Sequence, residues 1–381
     1  MRLGLDSLIT DFHHLIKNKK IGILAHNASV SSDGKHILDL LFQDDSINIT
    51  TLFGPEHGIK TKAQDMEPVN NSTIQHPITK KLIKVYSLYG NSFNSLSPTP
   101  EMLSNIETLI IDLQDIGSRY YTYIWTSVLC MKECAKQNIN VIVCDRPNPI
   151  NGKTIEGAPQ EKDFLSFVGL YPLPVRHGMT IAEIARHINK EHAINCNLTV
   201  IPMNGWKREW FWDQTNLTWH NPSPNMRSID AAILYPGMCL IEATNISEGR
   251  GTDSPFEIIG APFIDSKQLI DKFNELDLLG IKAEPVSFSP AYQKWKDQTC
   301  NGVKWKVLDR NKFQPYITGI GFLWCVYHLY HNKGFSWRDK AYEFVEDIPA
   351  IDLLTGSTLV RENINEKSWD VFKRKIDGDL L

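Results

Sequence analysis

The chain has 381 residues, of which 42% are hydrophobic and 22% charged, so its composition is that of an ordinary globular protein. This excludes disordered and collagen-like chains, and the length exceeds what one hydrophobic core usually covers, so we expect two domains. Lys and Arg number 40 against 44 Asp and Glu, for a net charge of -4, and the longest basic run is the short Lys373-Arg374-Lys375. The charge therefore argues against nucleic acid as a partner.

The N-terminus and the cysteines indicate the compartment. Asp6 and Asp11 interrupt the region where a signal peptide would be apolar, and no stretch reaches about 18 consecutive apolar residues. We therefore expect no membrane association and a cytoplasmic location, with an exported mature form as the alternative. The seven cysteines form no CxxC pair and lie mostly in apolar runs, which predicts buried thiols in a reducing compartment.

Strand-like and helix-like runs alternate through the first half of the chain, which is typical of a parallel sheet covered by helices. The predicted strands are 20–25, 47–53, 84–88, 107–112, 140–144 and 197–202. The predicted helices are 35–42, a short one opened by Thr99-Pro100-Glu101, about 120–136, and 180–190, where Thr180 and Glu183 form a capping box. The pattern indicates a doubly wound, Rossmann-like α/β domain.

The alternation becomes less regular after Asp145, and we place a domain boundary near Asn225. The predicted domains are therefore residues 1–225, the Rossmann-like domain, and residues 226–381, a smaller α/β domain. For the second domain the sequence predicts helices at 266–276, about 316–331 and 366–376, and a strand at 302–309.

Polar residues follow each predicted strand of the sheet. Ligands of open parallel sheets bind beyond the carboxyl ends of the strands, where loops and helix N-termini converge. The residues at these exits are, in chain order, His26-Asn27, Glu56-His57, Gln114-Asp115 with Arg119, and Asp145-Arg146. Asp112 and Asp145 also fit helix caps or salt-bridge partners for Arg119 and Arg146.

Glu56 is the exit residue whose surroundings favour chemistry most. Gly54-Pro55 fixes the backbone before it and Gly58 allows close approach after it, which is how a side chain is held for catalysis. His57 and Asp65 lie near enough in sequence to be metal ligands, but no HExxH or paired His/Cys spacing supports a metal site.

Several other site classes lack their motifs. GxGxxG and GxxxxGK[ST] are absent, which argues against a nucleotide cofactor, and the absence of GxSxG argues against a serine hydrolase. We expect no metal and no cofactor.

A second polar cluster lies at residues 241–257, where Gly249 and Gly251 interrupt a dense group of hydrogen-bonding side chains. Such a cluster suits a ligand with many hydroxyls or amides, and a solvated turn is the alternative. Two carboxylates, several Asn and Arg side chains, and aromatic rings that stack on a sugar face are what glycoside hydrolysis uses. These features allow a glycosidase without singling out a sugar.

Eight ordered blocks of the chain form a specific signature: LFGPEHGI, VYSLYG, DLQDIGSRYYTY, DRPNPINGKTIEG, GLYPLPVRHGMT, PSPNM, YPGMCLIEATNISEGRGT and PFEIIGAPF. Together they resemble the signature of the exo-β-N-acetylmuramidase (NamZ) family, whose members release terminal N-acetylmuramic acid from peptidoglycan fragments. The resemblance runs from Gly4 nearly to the C-terminus. It implies a Rossmann-like domain without a nucleotide, a second α/β domain, and a cleft between them that holds the sugar.

The resemblance also implies roles for individual residues. Glu56 matches the glutamate proposed as catalytic in the family, and His57 beside it would adjust its pKa or bind substrate. Asp115 is the candidate for the second catalytic group, with the acetamido group of the substrate as the alternative. The predicted sugar-binding residues are Arg119, Tyr121, Asn148, Arg176, His177, Asn225, Glu242, Asn245, Glu248 and Arg250. Among them Arg119, Arg176 and Arg250 are candidates for the lactyl carboxylate, since arginine binds carboxylates bidentately.

The turn after the first strand departs from the family pattern. Relatives commonly carry a Thr-Asn-Gln-Thr-Gly-like sequence there, whereas this chain has Ala25-His26-Asn27-Ala28-Ser29. The expected partners are saccharides containing N-acetylmuramic acid. A non-catalytic binder or sensor of muropeptides is the alternative, and an esterase or amidase acting on the same sugar is a third hypothesis.

Overall fold

A computed structural model describes residues 1–64 and 66–380. The chain divides into two compact units. The first consists of residues 1–117, 121–153 and 178–224, and the second of residues 118–120, 154–177 and 225–381. The two short segments group with the second unit because their backbone bonds lie there: Arg119 N donates to Val175 O at 2.8 Å, and Glu161 N donates to Gly356 O at 2.9 Å.

The first unit is built on a seven-stranded sheet of order β3-β4-β2-β1-β5-β6-β7. All neighbouring strands are parallel except β3, which pairs with β4 antiparallel. The strands are β1 (Lys20–Ala25), β2 (Asn48–Gly54), β3 (Ser72–Gln75), β4 (Leu82–Ser87), β5 (Thr108–Asp112), β6 (Asn140–Cys144) and β7 (Leu198–Ile201). The central strands β1, β5 and β6 are buried along almost their whole length, because a parallel sheet is covered on both faces.

The described residues of this unit form five α-helices: α1 (Gly4–Thr10), α2 (Ile37–Leu41), α3 (Pro100–Leu103), α4 (Tyr123–Lys136) and α5 (Ile181–Glu191). The core on one face of the sheet contains Leu5 and Leu8 of α1 together with Ile37 and Leu41 of α2. The doubly wound, Rossmann-like architecture that the sequence predicts is confirmed.

The six predicted strands are present with ends shifted by at most two residues, and the predicted capping box of α5 is confirmed. Thr180 N donates to Glu183 Oε2 at 2.9 Å, and Glu183 N donates to Thr180 Oγ1 at 3.2 Å. The prediction missed β3, a short strand at the sheet edge whose polar residues carry no apolar alternation. Helix α4 begins at Tyr123 instead of about residue 120.

The second unit holds a three-stranded antiparallel sheet of order β8-β10-β9. Its strands are β8 (Ile258–Ala261), β9 (Ile281–Phe288) and β10 (Cys300–Val307). Its helices are α6 (Ile229–Met238), α7 (Ser266–Asn274), α8 (Pro315–Tyr330), α9 (Ala350–Thr355), α10 (Leu359–Asn363), α11 (Trp369–Lys375) and α12 (Asp377–Leu380).

Helices α6 and α8 pack backbone to backbone at two glycines. A Cβ added at Gly237 would lie 1.9 Å from Pro315 O, and one added at Gly319 would lie 2.2 Å from Gly237 O. The predicted helices of this unit correspond to α7, α8 and α11, and the predicted strand to β10. The smaller second α/β domain is therefore confirmed.

All seven cysteines are buried, and none forms a disulfide in the described chain. Their predicted burial is confirmed. None of the helices within the described residues combines the length and apolarity that crossing a bilayer requires.

Candidate active site

Glu56 occupies a tight turn directly after β2. Gly58 N donates to Pro55 O at 2.9 Å, and His57 between them has a φ of 67°, as the third residue of a type II turn does. Gly54 is required because a Cβ there would lie 2.6 Å from Ile59 N. The sequence Gly-Pro-Glu-His-Gly therefore fixes the position of Glu56 through backbone geometry, as predicted.

The Glu56 carboxylate is 6% exposed and has two neutral partners. Thr122 Oγ1 donates to Oε2 at 2.8 Å, and Met66 N donates to Oε1 at 3.3 Å. A backbone amide only donates, so Oε1 is an acceptor, whereas a hydroxyl either donates or accepts. Oε2 can therefore carry or release a proton without losing Thr122 as its partner, which is the property that a general acid or base needs.

His57 stabilises the loop that follows Glu56 through hydrogen bonds. Its Nδ1 lies 2.9 Å from Ala63 O, a carbonyl that only accepts, and its own carbonyl accepts from Lys62 N at 3.0 Å. The ring also meets Tyr123 edge-on at 6.5 Å between centroids. Asp65, the other metal-ligand candidate of this loop, lies outside the described residues. Across residues 1–64 and 66–380, no group of three or more His, Cys, Asp and Glu side chains is placed to hold a metal ion.

Asp115 is buried in a turn after β5. Its Oδ2 accepts from Gly117 N at 2.8 Å. Gly117 has a φ of 84°, and a Cβ there would lie 2.4 Å from Asn148 Oδ1. Asn148 in turn accepts from Ile150 N at 3.1 Å and donates to Met179 O at 2.9 Å. Asn148, predicted to bind sugar, therefore packs closely against Gly117 in the turn that carries Asp115.

Tyr121 lies within electrostatic reach of both candidate carboxylates. Burial, followed by the negative charges of Asp115 and Glu56, raises the pKa of its phenol. The phenol therefore stays protonated. Its ring packs edge-on against Tyr123 at 4.8 Å. The first unit thus brings together Glu56, Asp115 and Tyr121 from three separate segments of the sequence.

Asp112 and Arg146 form a buried ion pair, which is the salt-bridge role that the sequence allowed for Asp112. Arg146 Nε and Nη2 each lie 2.7 Å from an oxygen of Asp112. Burial opposes the charge of Arg146, but Asp112 outweighs burial and raises the arginine pKa. His26, at the neighbouring exit of β1, has its pKa lowered to about 3 by burial and by the charge of Arg146, so its ring is neutral.

Asp145 follows β6 in sequence, and its side chain contacts the start of α5, namely Thr180 and Ala182. Burial raises its pKa to about 6, although a hydrogen bond from Thr180 and backbone bonds from Arg146 and Ala182 act in the opposite direction. It therefore has the cap-like role that the sequence allowed.

The arginines predicted to bind the lactyl carboxylate all belong to the second unit, and each has internal partners. Arg119 is fully buried and donates to three backbone carbonyls, those of Ala158, Leu173 and Leu354. Arg176 Nη1 lies 2.8 Å from Glu156 Oε1.

Arg250 belongs to a buried ionic cluster. Its Nη2 lies 2.6 Å from Glu242 Oε1, and its Nε lies 3.2 Å from Glu248 Oε1. Lys294 Nζ lies 2.8 Å from Glu248 Oε2, and Tyr342 donates to Glu242 Oε2 at 2.7 Å. The segment is therefore a packed ionic network and not a solvated turn.

The other candidates of the second unit also make internal contacts. Asn245 links its own loop to the segment 334–336. Its Nδ2 donates to Gly334 O at 2.7 Å, and its Oδ1 accepts from Ser336 N at 3.1 Å. Asn225 is buried and accepts from Tyr292 at 3.2 Å, and His177 is buried. Sugar binding by the second-unit candidates stays a prediction.

Thr122 is the site residue that the sequence analysis missed. The predicted helix began at about residue 120, which placed Thr122 inside a helix. In the structure it directly precedes α4, where its hydroxyl reaches Glu56 across 66 residues of sequence. The preference of threonine for helix starts was the available signal.

The fold and this arrangement of buried carboxylates at strand exits define a two-domain α/β protein of a known structural class. Two DUF1343 family proteins from Bacteroides fragilis NCTC 9343 have similar crystal structures. One has a TM-score of 0.85 at 30% identity, covering 100% of this chain and 98% of that one. The other has a TM-score of 0.72 at 26% identity, covering 98% and 93%.

Sequence comparisons identify the family. The N-terminal domain of exo-beta-N-acetylmuramidase NamZ matches residues 21–230, and the C-terminal domain matches residues 233–380. A protein of Bacillus subtilis (strain 168) named peptidoglycan beta-N-acetylmuramidase NamZ is 41% identical over 364 residues, covering 96% of this chain and 84% of that protein. The chain belongs to the exo-β-N-acetylmuramidase NamZ family.

Proposed function

We propose that this protein is a glycosidase that hydrolyses the bond of a terminal β-linked N-acetylmuramic acid in peptidoglycan fragments. The observation that carries the proposal is the Glu56 carboxyl, buried on a rigid turn and held by a hydroxyl and an amide instead of a cation. Family membership and the name of the Bacillus subtilis relative support the substrate.

In the proposed reaction Glu56 acts as general acid. Its proton passes to the glycosidic oxygen as the bond from that oxygen to the anomeric carbon breaks. Water then supplies the new oxygen at the anomeric carbon, and its proton returns to a carboxylate. Asp115 is the proposed second carboxylate, and participation by the substrate's acetamido group is the alternative. Tyr121, a protonated phenol near both carboxylates, is proposed to donate a hydrogen bond to the sugar.

The seven buried thiols fit a reducing compartment, which supports action on saccharides that have entered the cell.

The test compares release of 4-nitrophenol from the β-N-acetylmuramic acid and β-N-acetylglucosamine glycosides. We expect turnover of the muramic substrate and a loss of at least about 10³-fold in kcat for Glu56→Gln, because Gln keeps both hydrogen bonds but has no proton to give. Glu67→Gln is the matched control, since Glu67 is an exposed glutamate of the same loop.

Two outcomes would contradict the proposal. Full activity of Glu56→Gln would remove Glu56 from the chemistry. Folded wild-type protein that binds muropeptides without turnover at any pH would favour the non-catalytic alternative.

A further inference from the structure

A groove in the first unit lies beside the turn that carries Glu56. It has a volume of about 440 Å³, which is within the range of pockets that hold small ligands. His57 and Gly58 of the turn, residues of the segments 59–63 and 68–70, and strands β3 and β4 line it. The Glu56 carboxyl does not belong to this lining, so the groove is a neighbour of the proposed catalytic group and not its immediate surroundings.

Two lysines at this groove lack a partner in the part of the chain that the structure describes. Lys60 and Lys62 line the groove and are exposed, and neither forms an ion pair or a side-chain hydrogen bond there. Other exposed lysines pair with a nearby acid, as Lys267 does with Asp271 at 2.6 Å. None of the described residues that line the groove is acidic. The groove is therefore cationic, although the net charge of the protein is -4.

Hydrogen bonds fix the loop that carries the two lysines. Thr61 N donates to Gly58 O at 2.9 Å, and Lys62 N donates to His57 O at 3.0 Å. Asn27 N donates to Thr61 Oγ1 at 3.0 Å and joins this loop to the one after β1. The backbone of the lysines is therefore held in place beside the groove, as a binding site requires.

The rest of the lining combines apolar and polar groups. Tyr86 contributes a half-buried ring, Ile74 and Val85 contribute aliphatic side chains, and Asn70 and Thr73 contribute an amide and a hydroxyl. An apolar wall with a few polar groups is typical of sites for small ligands. A sugar ring has an apolar face and a polar rim, so this lining suits a sugar, and the lysines suit a sugar that carries a carboxylate.

A second cavity adjoins the groove and shares Lys60 and Lys62 with it. It also has a volume of about 440 Å³, and its lining includes Asp39 of α2, which is exposed. The negative charge of Asp39 opposes an anion on that side of the lysines. A carboxylate therefore fits the groove better than the adjoining cavity.

We propose that the groove binds a further N-acetylmuramic acid unit of the glycan, with its lactyl carboxylate beside Lys60 and Lys62. This inference rests on the proposed function. An exo-acting glycosidase cuts the bond of the terminal sugar, so that bond lies at the Glu56 carboxyl and the remaining sugars lie on the leaving-group side. Because the Glu56 carboxyl does not line the groove, the sugar held there belongs to the leaving chain. N-acetylglucosamine has no carboxylate, so the lysines select the acidic sugar of that chain.

The experiment measures binding of two tetrasaccharides to Glu56→Gln by isothermal titration calorimetry at low salt, so that the ligand is not cut. Both begin with N-acetylmuramic acid; in one the third sugar is a second N-acetylmuramic acid, and in the other it is N-acetylglucosamine. We expect the first to bind about 3–10-fold more tightly, since each exposed ion pair contributes up to about 1 kcal/mol. Lys60→Gln/Lys62→Gln should abolish this preference.

The matched control is Lys80→Gln/Lys81→Gln, which removes two exposed lysines outside the groove and should keep the preference. Equal binding of the two tetrasaccharides, or a preference that persists in Lys60→Gln/Lys62→Gln, would overturn the proposal. Turnover of the muramic acid glycoside by the wild type tests the proposed function separately. A protein that turns over this glycoside but binds both tetrasaccharides equally would be a glycosidase without this site.

Discussion

Glu56 in the first unit and Glu242 in the second are buried to nearly the same degree, 6% and 8% exposed, but their partners differ in kind. Glu242 is held by the guanidinium of Arg250 and the hydroxyl of Tyr342. Glu56 is held by the hydroxyl of Thr122 and a backbone amide, and no cation pairs with it among the described residues. The partner, more than the burial, separates a structural carboxylate from one suited to proton transfer.

The physical reason is the effect of a partner on the two protonation states. A neighbouring cation stabilises only the ionised carboxylate, so a proton can be added only by breaking a buried ion pair. A hydroxyl serves either state, since it donates to the carboxylate and accepts from the carboxylic acid. Glu242 and Glu248 of the second unit are therefore paired with cations, whereas Glu56 of the first unit is held by a hydroxyl that can serve either protonation state.

The largest expected effect is on stability in the second unit. Arg250→Leu should lower the free energy of unfolding by about 3–5 kcal/mol, because it leaves Glu242 and Glu248 buried with one cation fewer. Chemical denaturation measures this change. The matched control is Arg227→Leu, since Arg227 forms an exposed pair with Asp253 at 3.1 Å and should cost less than about 1 kcal/mol. Equal costs for the two variants would show that the buried cluster is not held by its charges.

The next effect concerns Asp145, a buried carboxyl that, like Glu56, is held by a hydroxyl and backbone amides. Its pKa is raised to about 6 in the folded protein, so the folded state binds this proton more tightly than the unfolded chain. Its contribution to stability is fully present below about pH 4 and is lost as the pH rises through about 6, by about 3 kcal/mol at most.

Asp145→Asn should remove this contribution. Thermal unfolding of wild type and variant between pH 4 and 7 measures it as a difference in slope. Parallel curves would mean that Asp145 titrates normally, and neutral partners would then not suffice to keep a buried carboxyl protonated.

The smallest expected effect tests the contact between Thr122 and Glu56. Thr122→Val keeps the shape but removes the hydroxyl, and should lower kcat for the muramic acid glycoside about 10–100-fold and alter its pH profile. Thr122→Ser should restore most of the activity, because it restores the hydroxyl. A fall in activity shared equally by both variants, with an unchanged pH profile, would indicate a packing role for Thr122.

Local sequence patterns explain which parts of the fold and of the site could be predicted. Apolar runs such as KIGILA and NVIVC predict buried parallel strands because both faces of the sheet are covered, and the Thr180/Glu183 capping box is a contact within one helical turn. The position of Glu56 was predictable for the same reason, since Gly54 and Gly58 act through the backbone of one turn. Strand β3 was missed because polar residues at a sheet edge carry no such pattern.

By itself, the sequence determined the doubly wound sheet, the smaller second domain, and Glu56 as the leading candidate for chemistry. Each of these depends on periodicity or turn chemistry within a few residues. Only the tertiary structure decided that Thr122 holds Glu56, that Tyr121 lies near both Glu56 and Asp115, that Asp112 pairs with Arg146, and that Arg250 lies in an ionic cluster. Most of these contacts join residues that are distant along the chain, and the partner of a buried charge depends on which segments the fold brings together.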